Sequence, residues 1–223
     1  MIVSIHQPNY IPWIGYFDKI NRSDIHVFLD DVKYAKNGFI NRNKILMNSS
    51  ETYLTIPISK KDHNSHISNI VVGDPRWKTK HIKTLHQAYS KTKYMKEYMP
   101  SLEEIITKNN SLCSLNSEII MWMCKEFGLN TQFSFSSHLN KNSKLTKTSR
   151  LVDICQTLGA KTYLSGTGAR DYLQLEEFAD IDVVWQSFIH PHYQQNSGMF
   201  VENMSALDLL FNEGPLSQRF FIQ

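Results

Sequence analysis

The strongest constraint on the fold of this chain is its opening, IVSIHQPNYIPWIGYFDKI, where Ile2, Val3 and Ile5 make a short β-rich apolar run. The run breaks at His6-Gln7-Pro8-Asn9-Tyr10, and Pro12 then opens a segment whose Trp13, Ile14, Phe17 and Ile20 recur at helical spacing. The order predicted is strand, polar loop, helix. In an open α/β sheet, ligands bind in the crevice beyond the carboxyl ends of strands, and a helix N-terminus offers free N–H groups to an anion. His6, Gln7, Asn9, Tyr10, Trp13 and Tyr16 put an imidazole, two amides, two phenols and an indole into that stretch. A stiff turn with aromatics turned to the core accounts for the same residue types, and both readings stand at this point.

The remaining chain repeats the alternation of strand and helix. Asp24 to Asp30 reads as a second buried strand closed by Asp30 and Asp31, which a βαβ unit would bring to the same sheet edge as His6. Phe39–Leu46 and Tyr53–Ile58 read as a β-hairpin with Gly38 and Asn48 as turn markers, and Ile70-Val71-Val72 as one more short strand. Residues 76–128 read as a helical insertion of two or three helices, with Trp77, His81, Leu85 and Tyr89 on one face and Gly128 as C-terminal stop. Gln132–Ser136 is predicted as a strand and Ser137–Lys144 as a polar linker. A helix from about Thr148 to Gly159 follows, then a strand at Lys161–Leu164, a short helix after Arg170, and a parallel strand at Ile181–Trp185. A last helix starts at Ser205, with Asp208 placed for a capping box. The expectation is one α/β domain over residues 1–223, three-layered around a mainly parallel, Rossmann-like sheet.

At 223 residues with a net charge of +3, the chain holds one good core, and its charge suits an anionic small ligand better than a nucleic-acid surface. Cys113, Cys124 and Cys155 lack paired spacing and read as reduced core residues. No apolar run approaches eighteen residues and the N-terminus begins directly as a strand, so the expectation is a cytoplasmic protein without an integral membrane segment.

Three further groupings bear on chemistry. Ser165-Gly166-Thr167-Gly168-Ala169-Arg170 repeats the pattern of strand end, polar turn and helix start. Its glycines permit close backbone approach, and Arg170 is able to clamp a phosphate or carboxylate. His190 and His192 flank Pro191 at a spacing compatible with two metal ligands, with a second catalytic base, or with backbone-bonded structural histidines; Tyr193 follows them. On the strand through Asn41-Arg42-Asn43-Lys44, the two cations share a face suited to a diphosphate, or to a charged edge facing water.

Taken together, HQPNYIPWIGYFDKI, FLDDVKY, INRNKI, YLSGTGARDYL, HPHYQQ and SALDLLFNEG resemble, in the same order and over nearly the whole chain, the WbqC-like protein family. The resemblance implies a place in bacterial O-antigen, lipopolysaccharide or related surface-polysaccharide biosynthesis, with a proposed glycine-transferase role. The opening also resembles nucleotidyltransferases that carry a His-x-Gly-His motif, although Trp13-Ile14-Gly15-Tyr16, at that position, lacks both histidines. The expectation is an aminoacyl or acyl transferase forming an amide on the amino group of a nucleotide-linked sugar. The acyl donor would be an ATP-activated amino acid, an acyl-carrier-protein thioester or coenzyme A. His6 would be the base, with Asp30 or Asp31 holding the amine and His190 the second candidate base. Gln7, Asn9, Tyr10, Trp13, Tyr16, Asn41, Arg42, Asn43, Lys44, Ser165, Gly166, Thr167, Arg170, His192 and Tyr193 would bind substrate. The alternatives are a non-catalytic sugar-nucleotide-binding protein, a nucleotidyltransferase or an ATP-dependent amide ligase. A homo-oligomer fits any of these, and no nucleic-acid partner is expected.

Overall fold

The computed structural model describes residues 1–139, 145–196 and 198–222. In chain order its elements are β1 (Ile2–His6), α1 (Ile14–Asn21), β2 (Ile25–Phe28), β3 (Arg42–Met47), β4 (Ser50–Thr55), α2 (Arg76–Tyr89), α3 (Met95–Lys108) and α4 (Leu112–Glu126). They continue with β5 (Gln132–Phe135), α5 (Ser136–Leu139), α6 (Lys147–Thr157), β6 (Thr162–Ser165), β7 (Asp182–Trp185) and α7 (Ala206–Glu213). The chain divides into two units. One comprises Met1–Gln7, Gly15–Asp31 and Asn130–Ile189; the other comprises Pro8–Ile14, Val32–Leu129 and His190–Gln223.

The first unit is built on a five-stranded sheet in the order β5-β2-β1-β6-β7, every adjacent pair parallel. The mainly parallel α/β sheet expected from the alternation of elements is therefore present. Val3, Ser4 and Ile5 are all buried, as a central strand covered on both faces requires. The two faces differ in chemistry. Val3, Ile5, Val27 and Tyr163 pack against Val152, Ile154 and Cys155 of α6 and against Leu173, Phe178 and Ile181. On the opposite face Ser4 lies beside His26 and His6 beside Phe28 in the parallel register. There Phe28 stacks on Phe133 with ring centroids 5.5 Å apart, and α1 closes over the polar pair.

In the second unit β3 and β4 form an antiparallel hairpin with Met47 opposite Ser50. Asn48 and Ser49 both take positive φ, the backbone of a tight turn that matches strand twist. The block over 76–128 carries α2, α3 and α4. Trp77, His81, Leu85 and Tyr89 are buried along one stripe of α2. Helix α4 ends at Gly128, φ 70°, where Leu129 N–H donates to the Cys124 carbonyl (2.9 Å) and Gly128 N–H to that of Lys125 (3.1 Å).

Several local expectations need correction. Val71 makes only an isolated bridge with Ser111, so residues 70–72 are not a ladder strand. Helix α5 occupies 136–139 in place of the expected linker, because the Asp30 carboxylate caps its first turn; residues 140–144 of that linker lie outside the described residues. The short helix expected after Arg170 is a 3-10 helix at Leu175–Phe178, and a further 3-10 turn spans Thr167–Ala169. Ser205 does cap α7, accepting from Leu207 N–H. Asp208 completes no capping box, because its carboxylate is held by Tyr193 and Gln195 and the Ser205 N–H donates to the Lys44 carbonyl.

Candidate functional site

In the first unit β1 and β6 are hydrogen-bonded neighbours, yet the chain runs outward from β1 to β2 and β5 on one side and from β6 to β7 on the other. This reversal of winding is a topological switch point, the place where an open parallel sheet forms a crevice at its carboxyl edge. Two polar turns leave that edge side by side: His6-Gln7 from β1 and Ser165-Gly166 from β6.

His6 is held by a chain of hydrogen bonds whose directions can be assigned from the groups involved. The Gln7 carbonyl oxygen can only accept, and it receives both the Tyr16 hydroxyl (3.0 Å) and His6 Nδ1 (3.0 Å). His6 therefore carries its proton on Nδ1 and presents a lone pair on Nε2. With its hydrogen committed to Gln7, Tyr16 Oη accepts from His26 Nε2 (3.3 Å), and His26 Nδ1 accepts from Ser4 Oγ (2.8 Å). The His6 and Tyr16 rings also meet edge to face, with centroids 4.9 Å apart.

Lys19 of α1 is buried behind this chain and its Nζ donates to the Ile5 carbonyl at 3.4 Å. Burial lowers its pKa to about 7. Burial and then the Lys19 charge push His6 down to about 3, so its imidazole is neutral at physiological pH. The same causes, with His6 added, depress His26.

Asp30 and Asp31 stand at the end of β2 and are already occupied. Asp30 accepts from Ser137 N–H (2.9 Å) and Ser137 Oγ (2.7 Å), while Asp31 pairs with Arg150, which is 4 % exposed. These carboxylates fasten α5 and α6 to the sheet edge. Ser165 is buried, and Arg170 lies over the Trp185 ring at 5.3 Å from its centroid. A Cβ on Gly166 or Gly168 would meet nothing within 4 Å, and neither takes a positive φ, so no intramolecular contact accounts for glycine at either place. Gln186, at the end of β7, donates to the Gly15 carbonyl (2.8 Å) and to Asp18 (2.7 Å). The turn at Thr167–Ala169 is too short to act as a helix terminus for an anion.

The remaining sequence candidates belong to the second unit. Tyr10 is buried and donates to His81 Nδ1 (2.9 Å), whose Nε2 donates to the Thr55 carbonyl (3.2 Å). Burial lowers the pKa of that imidazole to about 4. Asn9 is buried, and Trp13 bridges Ser205. Asn43 donates to the Ile11 carbonyl (2.9 Å) and Asn41 to that of Ile56 (2.7 Å). Arg42 donates to the Asn37 carbonyl (2.7 Å) and lies over Tyr53; Lys44 pairs with Glu51 (2.8 Å). His190 donates from Nδ1 to the Pro191 carbonyl (2.9 Å) and accepts the Asn203 N–H on Nε2 (3.2 Å). His192 packs on Phe200, and Tyr193 donates to Asp208 (2.8 Å). Among the described residues no group of three or more His, Cys, Asp or Glu side chains is placed to hold a metal ion.

Sequence reasoning missed Lys19, His26, Arg150, Trp185 and Gln186. A lysine among Tyr16, Phe17 and Ile20 on one short helix was the available signal for the first. The pairing of Arg150 with Asp31 across 119 positions left no local signal.

A model described as the WbqC-like protein family matches residues 7–220. An uncharacterized protein of Mycobacterium tuberculosis, Rv1507c, is 32% identical over 218 residues, covering 95% of this chain and 94% of its own length. No solved structure matches.

Proposed function

The chain belongs to the WbqC-like protein family, and from that premise we propose that it is a cytoplasmic transferase of bacterial surface-polysaccharide biosynthesis. It forms an amide by moving an acyl or aminoacyl group to the amino group of a nucleotide-linked sugar. The observation that supports this reading is the half-buried His6 imidazole at the switch-point edge, with Nδ1 tied to the Gln7 carbonyl so that its basic lone pair is on Nε2.

In this mechanism the sugar amine attacks the acyl carbonyl carbon and a C–N bond forms. The bond from that carbon to the donor's phosphate oxygen or thioester sulfur breaks, and the proton lost by the amine goes to His6 Nε2. His6 then passes this proton on to the departing phosphate or thiolate. The open backbone at Gly166 and Gly168 accepts the nucleotide phosphates, and Arg170, flattened on Trp185, supplies the cation.

The test is amide formation followed by mass spectrometry, with nucleotide-linked amino sugars and each of the three donor classes. His6→Ala is expected to lower turnover by roughly 10² to 10⁴ while circular dichroism stays unchanged. Unchanged turnover removes His6 from the mechanism. The engagement of Asp30, Asp31 and His190 by protein groups favours a second reading, a sugar-nucleotide-binding protein without turnover. Saturable binding with no product in any donor series establishes that reading, and pyrophosphate release points to nucleotidyl transfer.

A further inference from the structure

The modest net charge hides a strong asymmetry. From Arg76 to Lys96 there are seven Lys and Arg and no Asp or Glu, which leaves 17 cations against 21 acids in the rest of the chain. Most of this segment is α2. Its buried stripe of Trp77, His81, Leu85 and Tyr89 fixes which face points outward. Lys78 is drawn inward, donating to the Thr107 carbonyl (2.8 Å) and Asn110 Oδ1 (2.9 Å).

Along the outer face Arg76, Thr79, Lys80, Lys83, Thr84 and Gln87 line a shallow groove of about 460 Å³. Their spacing keeps them on one side of the helix for about 16 Å. Among the described residues Lys80 and Lys83 form no ion pair, whereas Arg76 pairs with Asp74 (2.7 Å). Two unpaired lysines one turn apart leave a local positive potential that nothing on this helix offsets.

We propose that this outer face of α2 is a docking surface for an acidic, helix-presenting protein, specifically a carrier protein bearing acyl groups. Carboxylates one turn apart on a partner helix match the unpaired Lys80 and Lys83, with the Thr and Gln side chains completing a polar rim. A membrane surface fits less well, because an interfacial helix must turn its apolar side to lipid and the apolar side of α2 is spent on the protein interior. Single-stranded nucleic acid fits less well because the groove has no aromatic lining on which bases stack. The docking claim stands on the charge pattern. It rests on the transferase reading only for the cargo, where it selects the carrier-protein thioester as donor.

Fluorescence anisotropy with a labelled bacterial acyl carrier protein tests it on the full chain. Binding is expected to weaken as salt rises and to fall at least tenfold in K80E/K83E, with K80Q/K83Q intermediate and all variants equal in circular dichroism. His6→Ala should bind the carrier like the parent chain, so loss of chemistry and loss of docking are read separately. Equal affinity in the parent and charge-reversed chains overturns the proposal. So does absence of carrier binding while phosphatidylglycerol vesicles or single-stranded DNA bind in a lysine-dependent way.

Discussion

Tyr16 donates its hydroxyl to the same Gln7 carbonyl oxygen that receives His6 Nδ1, so one main-chain acceptor couples the phenol to the imidazole. Tyr16→Phe deletes that hydroxyl and leaves the buried His26 Nε2–H without its acceptor. An unsatisfied buried donor costs about 1–3 kcal/mol. The variant is expected to lose stability of that size in chemical denaturation, and nitrogen NMR should show His26 no longer held in one tautomer. A variant with the parent's stability and a single His26 tautomer contradicts the assigned chain.

Lys19 gives the fold a pH dependence of definite sign. Its pKa falls to about 7 in the folded chain, so between about pH 7 and 10.5 the unfolded chain binds more protons than the folded one. Stability therefore rises with pH across that window, by about 5 kcal/mol at most. Lys19→Met is expected to flatten this slope and to be more stable than the parent at pH 7. Denaturation midpoints at pH 7, 8.5 and 10 check it, and a parent chain with no slope there excludes a buried, depressed amine.

The parts of this fold legible in the sequence are those set by local periodicity. Residues 2–5, 25–28 and 162–164 show as strands because β-branched and aromatic residues dominate each short run, with Ser4 and His26 as polar interruptions. Helix α2 shows because Trp77, Leu85 and Tyr89 keep the helical repeat. What escaped depends on partners distant in the chain. Helix α5 exists because Asp30, more than a hundred positions earlier, caps it. Asp208 has the spacing of a capping box and is claimed by Tyr193 and Gln195. In the site, the sheet-edge placement of His6 and Ser165 follows from strand order and was within reach. The burial of Lys19 was not, because a lysine on a helix ordinarily faces water.

Arg150 shows how Asp31, just after β2, is used. Its side chain is 5% exposed and joins Asp31, Asp153 and the Ser136 carbonyl. Removing one member of a buried pair leaves the other charge uncompensated, which costs about 3–5 kcal/mol. Arg150→Met is expected to lower stability toward that range, while Asp31→Asn/Arg150→Met together recovers part of the loss. A double variant no better than Arg150→Met alone shows that packing, and not charge, dominates at this position.

Asp208 carries a pH dependence of opposite sign. It is 1% exposed, and burial raises its carboxyl to about pH 6 although Tyr193 and Gln195 both donate to Oδ2. Between about pH 4 and 6 the folded chain holds a proton that the unfolded chain has released, so stability falls as pH rises through that range. Asp208→Asn removes the titration and keeps a carbonyl oxygen able to accept both donors, so it should flatten the slope and be the more stable protein at pH 7.5. Asp208→Leu strands the Tyr193 hydroxyl and the Gln195 amide, and a loss of about 1–3 kcal/mol for each unsatisfied group follows. Denaturation of the three proteins at pH 4.5 and 7.5 decides it. If the asparagine variant is less stable than the parent at pH 7.5, the charged carboxylate is a net stabiliser of this cluster and the direction assigned to its titration is wrong.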